Sequence, residues 1–247
     1  GSAQAHLRDG AAVCELLAWL DAQPAGTVKE TEVVRRLEAF RRSDNALQDI
    51  SFETIAGTGP NGAIMHYRVT EETDSALEDG QLIVLDSGGQ YLDGTTDITR
   101  TIAIGAPPEE ACRAAMSRLR WPVGLTGRDI EAIGRMPLWL AGQDFDHGLG
   151  HGVGAYLSVH EGPQRLSKIS TVPLQPGMIL SNEPGYYREG AFGIRIENLL
   201  VVRAAPALPG GDNHRAMLTW QTLSFAPIDR RLIVPEMLEP AHRDWLN

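Results

Sequence analysis

The sequence predicts an α+β domain of two pseudo-symmetric halves, each a pair of helices followed by short strands. The strands form a curved, mostly antiparallel sheet, with helices on its outer face. Three observations carry this. The order helix, helix, strands occurs twice, over approximately 5–105 and 106–205. Asp79-Gly80-Gln81-Leu82-Ile83-Val84-Leu85-Asp86 aligns with the stretch from Gln175 through Pro176-Gly177 to Asn182-Glu183. In each, a glycine stands six residues before a carboxylate, across an apolar strand. A second carboxylate follows in each half, Asp97 and Glu197, and a histidine precedes, His66 and His160. The joint pattern argues for an internal duplication with a site between the halves.

Taken in order, residues 5–22 carry Leu7, Cys14, Leu16, Leu17 and Leu20 at helical spacing and end near Pro24-Ala25-Gly26. Thr27-Val28-Lys29-Glu30 reads as a capping box opening a second helix through Val33, Val34, Leu37 and Phe40. After Asp44 come β-rich segments at 51–56, 62–66, 81–86 and 95–104, punctuated by glycine turns. Pro107-Pro108-Glu109-Glu110 starts a third helix, with proline tolerated in its first turn. Thr126-Gly127-Arg128-Asp129 opens a fourth, carrying Ile130, Ile133, Leu138 and Leu140. Strand-like segments return at 155–160, 178–182 and 193–202. Pro206 to Asn213 reads as a surface loop, and no linker long enough to separate domains is visible. Residues 1–247 are therefore expected to form one domain whose halves do not fold alone.

Composition narrows the function classes. The 247 residues are 43% hydrophobic and 22% charged, enough for a substantial core without disulfides. No apolar run approaches the ~20 residues that span a bilayer. The N-terminus lacks the regions of a signal peptide, and Gly1-Ser2 reads as a tag-cleavage remnant. Cys14 and Cys112 read as reduced core thiols, so the cytoplasm is the expected location. Net charge is −10 with no Lys/Arg run, which argues against nucleic acid as a partner, and no membrane association is expected.

Five potential metal ligands stand in well-marked local sequences: Asp86, Asp97, His151, Glu183 and Glu197. Four carboxylates and one imidazole are too many for a closed structural zinc. They suit two hard or borderline divalent ions held close together, because shared carboxylates offset the repulsion between cations. Asp86 and Asp97 flank the Asp93-Gly94 turn at unequal distances, so a bulge or an offset register is expected. Glu183 and Glu197 each follow an apolar segment where an unpaired charge would be costly. His147 and His151 are spaced for a helical zinc motif but lie among glycines, which makes a poor helix. His151 is assigned to metal, and His147 and His160 to hydrogen bonding with substrate or intermediate. His66 is a fourth candidate. His6, His214 and His242 are expected at the surface.

These residues resemble the pita-bread metallopeptidase family that contains aminopeptidase P, prolidase and methionine aminopeptidase. The resemblance runs from about residue 5 to the C-terminus and is greatest to the catalytic domain of the cytosolic type of aminopeptidase P (Xaa-Pro aminopeptidase). It rests on Gly59–Ile64, Asp86–Thr101, His147–Pro163 and Glu183–Asn198. It implies that Asp97 and Glu197 bridge two ions, that His151 and Glu183 complete one ion's shell, and that Asp86 completes the other's. His66, His147 and His160 match substrate- and intermediate-binding histidines, and Arg195 an arginine that orients the carboxylates. Manganese is the usual metal of this branch; the ligand set also admits cobalt, zinc or iron. The implied activity is release of the N-terminal residue from peptides with proline second, by attack of a metal-bridging hydroxide. Glu183 would move the proton, and His160 would stabilise the oxyanion. The rivals are an Xaa-Pro dipeptidase of the prolidase kind and a non-catalytic pita-bread module that binds peptides or proteins. Such modules typically lose ligands, whereas all five are present here. Two departures are noted: cytosolic relatives carry two further N-terminal domains, and 105–122 is shorter than the helix expected there. The Trp220–Trp245 stretch has apolar residues enough for a homodimer interface.

Overall fold

In the computed structural model, residues 1–105, 119–212 and 214–233 are described. Helix α1 (Ser2–Asp21) packs through a stripe of small and branched residues, Ala5, Ala12, Val13, Leu16 and Leu20, with Asp9 buried among them. The face therefore differs from the expected one. Leu7 is half exposed and Cys14 is an exposed free thiol, whereas His6 is buried with its Nδ1 against the Ser2 carbonyl at 2.7 Å.

Helix α2 (Glu30–Arg42) begins without the predicted capping box. Its N-cap Lys29 makes no side-chain cap bond, and the Thr27 hydroxyl donates to the Pro24 carbonyl instead. Glu30 turns inward and is fully buried, accepting from the Thr58 amide and the Tyr67 hydroxyl, each at 2.7 Å. Four donors of the core outcompete one exposed backbone amide for that carboxylate, since the Asn61 amide and Ser75 amide also reach it. Asp74 supplies the missing cap, accepting from the amide and hydroxyl of Thr31 at 2.9 Å each.

The two helices cover an antiparallel sheet of β2 (Ile55–Thr58), β3 (Leu82–Ser87) and β6 (Ile98–Ala103), in the order β2-β3-β6. Val13, Leu16, Val33, Leu37, Ile83, Leu85 and Ile102 form the core between them. A smaller sheet joins β1 (Asp49–Ile50), β4 (Gly89–Tyr91) and β5 (Gly94–Thr95), in the order β1-β4-β5. The strand expected at 62–66 is absent; Gly59–Ala63 is a 3-10 turn. A side chain at Gly57 would meet the backbone of Asn61 and Gly62 at 2.9 Å, so close approach of two chain segments uses those glycines.

In the second half α3 spans Gly127–Leu140, and its capping box forms as expected. The Asp129 carboxylate accepts from the amide and hydroxyl of Thr126. Its sheet has the order β10-β13-β14-β7, with β7 at Arg120–Pro122, β10 at Ile179–Asn182, β13 at Asn198–Ala204 and β14 at Met217–Thr222. Trp121 and Trp220 meet in its core with ring centroids 4.4 Å apart. Two hairpins complete this half: β8 (Gly150–His151) with β9 (Arg165–Leu166), and β11 (Gly185–Arg188) with β12 (Phe192–Arg195). Residues 155–160 form a loop rather than a strand, and the strand expected at 193–202 breaks at Ile196-Glu197.

One pair of backbone bonds recurs in both halves. Gly80, at φ 78°, donates to the Ile104 carbonyl, and Ile104 donates back to Gln81. Gly177, at φ 94°, donates to Val202, and Val202 donates back to Met178. In each half a carboxylate residue stands immediately before the returning strand, Asp97 before β6 and Glu197 before β13. The helix expected from Pro107, Cys112, His242 and the 234–245 part of the 220–245 stretch lie outside the described residues, as does most of the shortened segment.

Candidate metal centre

Asp86 lies in β3, opposite Ile55 on one side and Thr99 on the other. The bulge or offset expected between Asp86 and Asp97 is not used. One register runs from Leu82↔Ala103 through Ser87↔Ile98 and continues at Gln90↔Thr95. Asp97 stands two residues before Thr99, so the two aspartates are diagonal neighbours on one face. Gly88 permits the bend between the two sheets there: a Cβ on it would fall 2.0 Å from the Thr96 carbonyl.

Glu197 enters the same face from the second half. Its amide donates to the Thr99 carbonyl at 3.1 Å, and its Oε2 accepts from the Thr99 hydroxyl at 2.8 Å. Arg100, beside Thr99, locks the crossing. Its buried guanidinium donates to the carbonyls of Thr99, Glu197, Ala226 and Pro227 and to Asn198 Oδ1. Burial pulls that guanidinium down to about 10.

His151 on β8 is fixed from behind. Its amide donates to Ser181 Oγ at 2.9 Å, and its Nδ1 lies 3.0 Å from the Gly152 carbonyl. A nitrogen facing a carbonyl must carry the proton, so the lone pair sits on Nε2. That atom is 3.3 Å from Glu183 Oε1 and 3.5 Å from Asp97 Oδ2. Ligand atoms of Asp97, His151 and Glu197 all lie within 4.8 Å of one another. Glu183 follows β10, its amide bonded to the Leu149 carbonyl and its Oε1 accepting from Ser181 Oγ.

The crowding is expressed in proton affinities. Burial first, then Glu197, Asp86 and Glu183, raise the Asp97 carboxyl well above its ordinary value. Burial first, then Glu197 and Asp86, do the same to Glu183. Burial first, then Asp86, push Glu197 up to about 7. Burial pulls His151 down to about 4, leaving it neutral at physiological pH. Three buried carboxylate oxygens, Asp86 Oδ1, Asp97 Oδ1 and Glu197 Oε1, have no hydrogen-bond partner. Such orphaned acceptors are costly in a protein interior. Oxygen-rich donors with one imidazole fit divalent cations, which would both satisfy these oxygens and cancel the repulsion.

Arg195 stands behind Asp86, donating from Nη2 to Oδ2 at 2.6 Å. Burial opposes its charge, but Asp86 and Tyr187 outweigh that and hold the guanidinium above its ordinary value. Nη1 donates to Tyr187 Oη at 2.8 Å, and that oxygen lies 2.9 Å from His147 Nε2. His147 Nδ1 faces the Gly148 carbonyl at 2.7 Å and must be the protonated nitrogen, so Tyr187 donates to Nε2. Both nitrogens of His147 are thereby spent on the protein, which departs from the expected direct contact with substrate. Burial pulls His147 down to about 4 and pushes Tyr187 up to about 12. Arg135, buried and paired with Glu131, donates to the Phe145 and His147 carbonyls and so fixes this segment.

His66 and His160 are exposed and line the same cleft of about 650 Å³ as Asp86, Asp97, Glu183 and Glu197. The His160 ring meets His151 edge-on at 4.1 Å between centroids. All five candidate ligands, the three histidines and Arg195 thus reach one cleft. Thr99, Arg100 and Tyr187 were missed. Thr99 and Arg100 lie within the Asp86–Thr101 stretch, but nothing local marks Tyr187, whose role arises from the β11–β12 pairing.

The model of metallopeptidase family M24 matches residues 2–204, and that of its C-terminal region matches 216–247. The chain belongs to metallopeptidase family M24. It is 41% identical to aminopeptidase P1 of Lotus japonicus over all of this chain and 42% of the relative, and 43% identical to aminopeptidase P2 of Arabidopsis thaliana over all of this chain and 36% of that protein. It therefore spans about two-fifths of the length of these curated relatives. Among solved structures it resembles X-prolyl aminopeptidase of Caenorhabditis elegans, described as a cytosolic enzyme with a di-nuclear active site. The TM-score is 0.91 at 33% identity, covering 99% of this chain and 41% of that one. The Xaa-Pro dipeptidase of Bacillus anthracis follows with TM-score 0.71 at 28% identity, over 92% of this chain and 60% of that one. The fold is thus the pita-bread α+β fold of these enzymes. Among the described residues no helix is long and apolar enough to cross a membrane.

Proposed function

We propose that this chain is the catalytic domain of a two-metal aminopeptidase that releases the N-terminal residue from peptides with proline second. The observation that carries the reading is the set of unpartnered buried oxygens on Asp86, Asp97 and Glu197, with ligand atoms of Asp97, His151 and Glu197 within 4.8 Å of one another. Asp97 and Glu197 would bridge two ions, His151 and Glu183 would complete one shell, and Asp86 the other. Manganese is the metal proposed, and the cytoplasm the location. When bound, the ions supply an activated water nucleophile at neutral pH and positive charge for a developing oxyanion.

The chain's own residues do the rest. Glu183, with its raised proton affinity, holds the proton and delivers it to the leaving nitrogen. His160 donates to the oxyanion from the cleft wall, and His66 holds the peptide. Arg195 keeps Asp86 in place, with Tyr187 and His147 backing it. An Xaa-Pro bond has no amide hydrogen, so a site that grips no N–H there handles it without loss.

The test is manganese-supplemented protein offered Ala-Pro-Ala and Ala-Ala-Ala. The expected preference for the proline peptide is about tenfold or more in kcat/KM. Equal values would remove the proline assignment. Cleavage of Ala-Pro but not Ala-Pro-Ala would make the chain a dipeptidase, and no bound metal after supplementation would make it a binding module.

A further inference from the structure

The loop at 155–160 carries His160 at its end and holds a non-glycine residue in left-handed backbone. Leu157 has φ 56°, a conformation that costs an ordinary side chain about 1 kcal/mol or more. Nothing buries that side chain in return, since Leu157 is 65% exposed. Something else must hold it there.

The holder is on the other half of the molecule. Gln90, in the middle strand of the β1-β4-β5 sheet, is fully buried. Its Oε1 accepts from the Leu157 amide at 2.8 Å and from the Thr95 hydroxyl at 2.7 Å. Its Nε2 donates to the Tyr91 carbonyl at 2.8 Å and the Gly94 carbonyl at 3.4 Å. A backbone amide can only donate and a carbonyl can only accept, so one orientation of the carboxamide satisfies these contacts. Turned over, it would set two donors against the Leu157 amide and an oxygen against two carbonyls. The side chain is a rigid bolt from the first half into a strained loop of the second.

The loop passes the constraint onward. Gly154 donates to the Ser158 carbonyl and Glu161 to Gly152, each at 2.8 Å, and Val159 is buried. Leu157 is thus pinned three residues before His160, inside a closed turn with little slack.

We propose that Gln90 is a positioning residue that holds Leu157 in left-handed backbone and through it sets His160 over the cleft. This rests on the reading of His160 as an oxyanion donor given above. Displacement of a catalytic group by about 1 Å costs up to a hundredfold in rate, so a partly released loop should cost about tenfold.

The experiment is a double-mutant cycle on manganese-loaded protein with Ala-Pro-Ala. Gln90→Met keeps the volume and removes the carboxamide. It should lower kcat about tenfold, leave KM and metal content near the wild-type values, and abolish exchange protection of the Leu157 amide. In a His160→Ala background the same change should cost less than about twofold, because the group it positions is gone. Leu157→Asn, which tolerates left-handed backbone, should restore part of kcat to Gln90→Met. Should Gln90→Met fail to fold, Thr95→Val removes the hydroxyl that fixes the carboxamide and should show a smaller loss with the same dependence on His160. A loss that persists in the His160→Ala background, or that follows metal content, overturns the proposal. The exchange measurement needs no turnover, so a chain inactive on proline peptides would refute the functional reading while unaltered Leu157 protection would refute the bolt.

Discussion

At the scale of single residues, the carboxylates proposed to bridge the ions and the one proposed to serve a single ion would differ in what they neutralise. Asp97 and Glu197 each have one orphaned buried oxygen and cluster with His151, whereas Asp86 has its other oxygen committed to Arg195. Removing a bridge exposes two cations to each other. Asp97→Ala or Glu197→Ala should therefore lose both ions and all activity, whereas Asp86→Ala should retain about one ion per chain. Elemental analysis after gel filtration reads this directly, and full occupancy in Glu197→Ala would sink the assignment. The histidines divide in the same way. His151→Ala removes a donor whose tautomer is preset by Gly152 and should strip metal. His160→Ala should keep metal and lower kcat by about a hundredfold.

At the scale of elements, what was legible in the sequence was whatever is local. The helix at Gly127 announced itself through Thr126 and Asp129, because a capping box is made by residues three apart. The five candidate ligands stand out in the sequence because glycines and apolar runs surround each, and the structure brings all five to one cleft. The start of α2 was misread because Glu30 answers to Thr58, Asn61 and Tyr67, more than 25 residues away. His6 and Cys14 were exchanged between surface and interior for a similar reason. The buried stripe of α1 adds alanines, His6 and Asp9 to Leu16 and Leu20 and leaves Leu7 out, and no periodicity of large residues reports that. Asp9 shows what sequence alone conceals. It and Arg41 are both completely buried and paired through two bonds, and Asp9 also accepts from Tyr91 and Thr96 while Arg41 donates to Ser87. The pair braces α1 and α2 against the two residues adjoining Asp86 and Asp97. Asp9→Ala leaves a buried guanidinium unpaired and should cost about 3–5 kcal/mol, read as a fall in the urea midpoint. A change below about 1 kcal/mol would mean that the helices do not depend on the pair.

At the scale of the whole molecule, a site assembled from both halves sets function against stability. In the metal-free chain, ionised Glu197 is buried beside Asp86, and its carboxyl titrates at about 7 against an ordinary 4.5. A carboxyl raised on folding binds protons more tightly in the folded state, so it costs stability above its folded value. That cost is fully present above pH 7 and is relieved as pH falls toward 4.5. Glu197→Gln removes the charge while an amide oxygen can still accept from Thr99. Without metal, the variant should therefore melt at a higher temperature than wild type at pH 8, and the gap should close as pH falls toward 5. With saturating manganese at pH 8 the order should reverse, because only the wild-type chain gains the binding energy of both ions. His151 does not blur the comparison, being neutral down to about pH 4. Melting curves of both proteins, with and without manganese across this range, test the argument. If metal-free Glu197→Gln is no more stable than wild type at pH 8, the buried carboxylates are not held in place against their own repulsion.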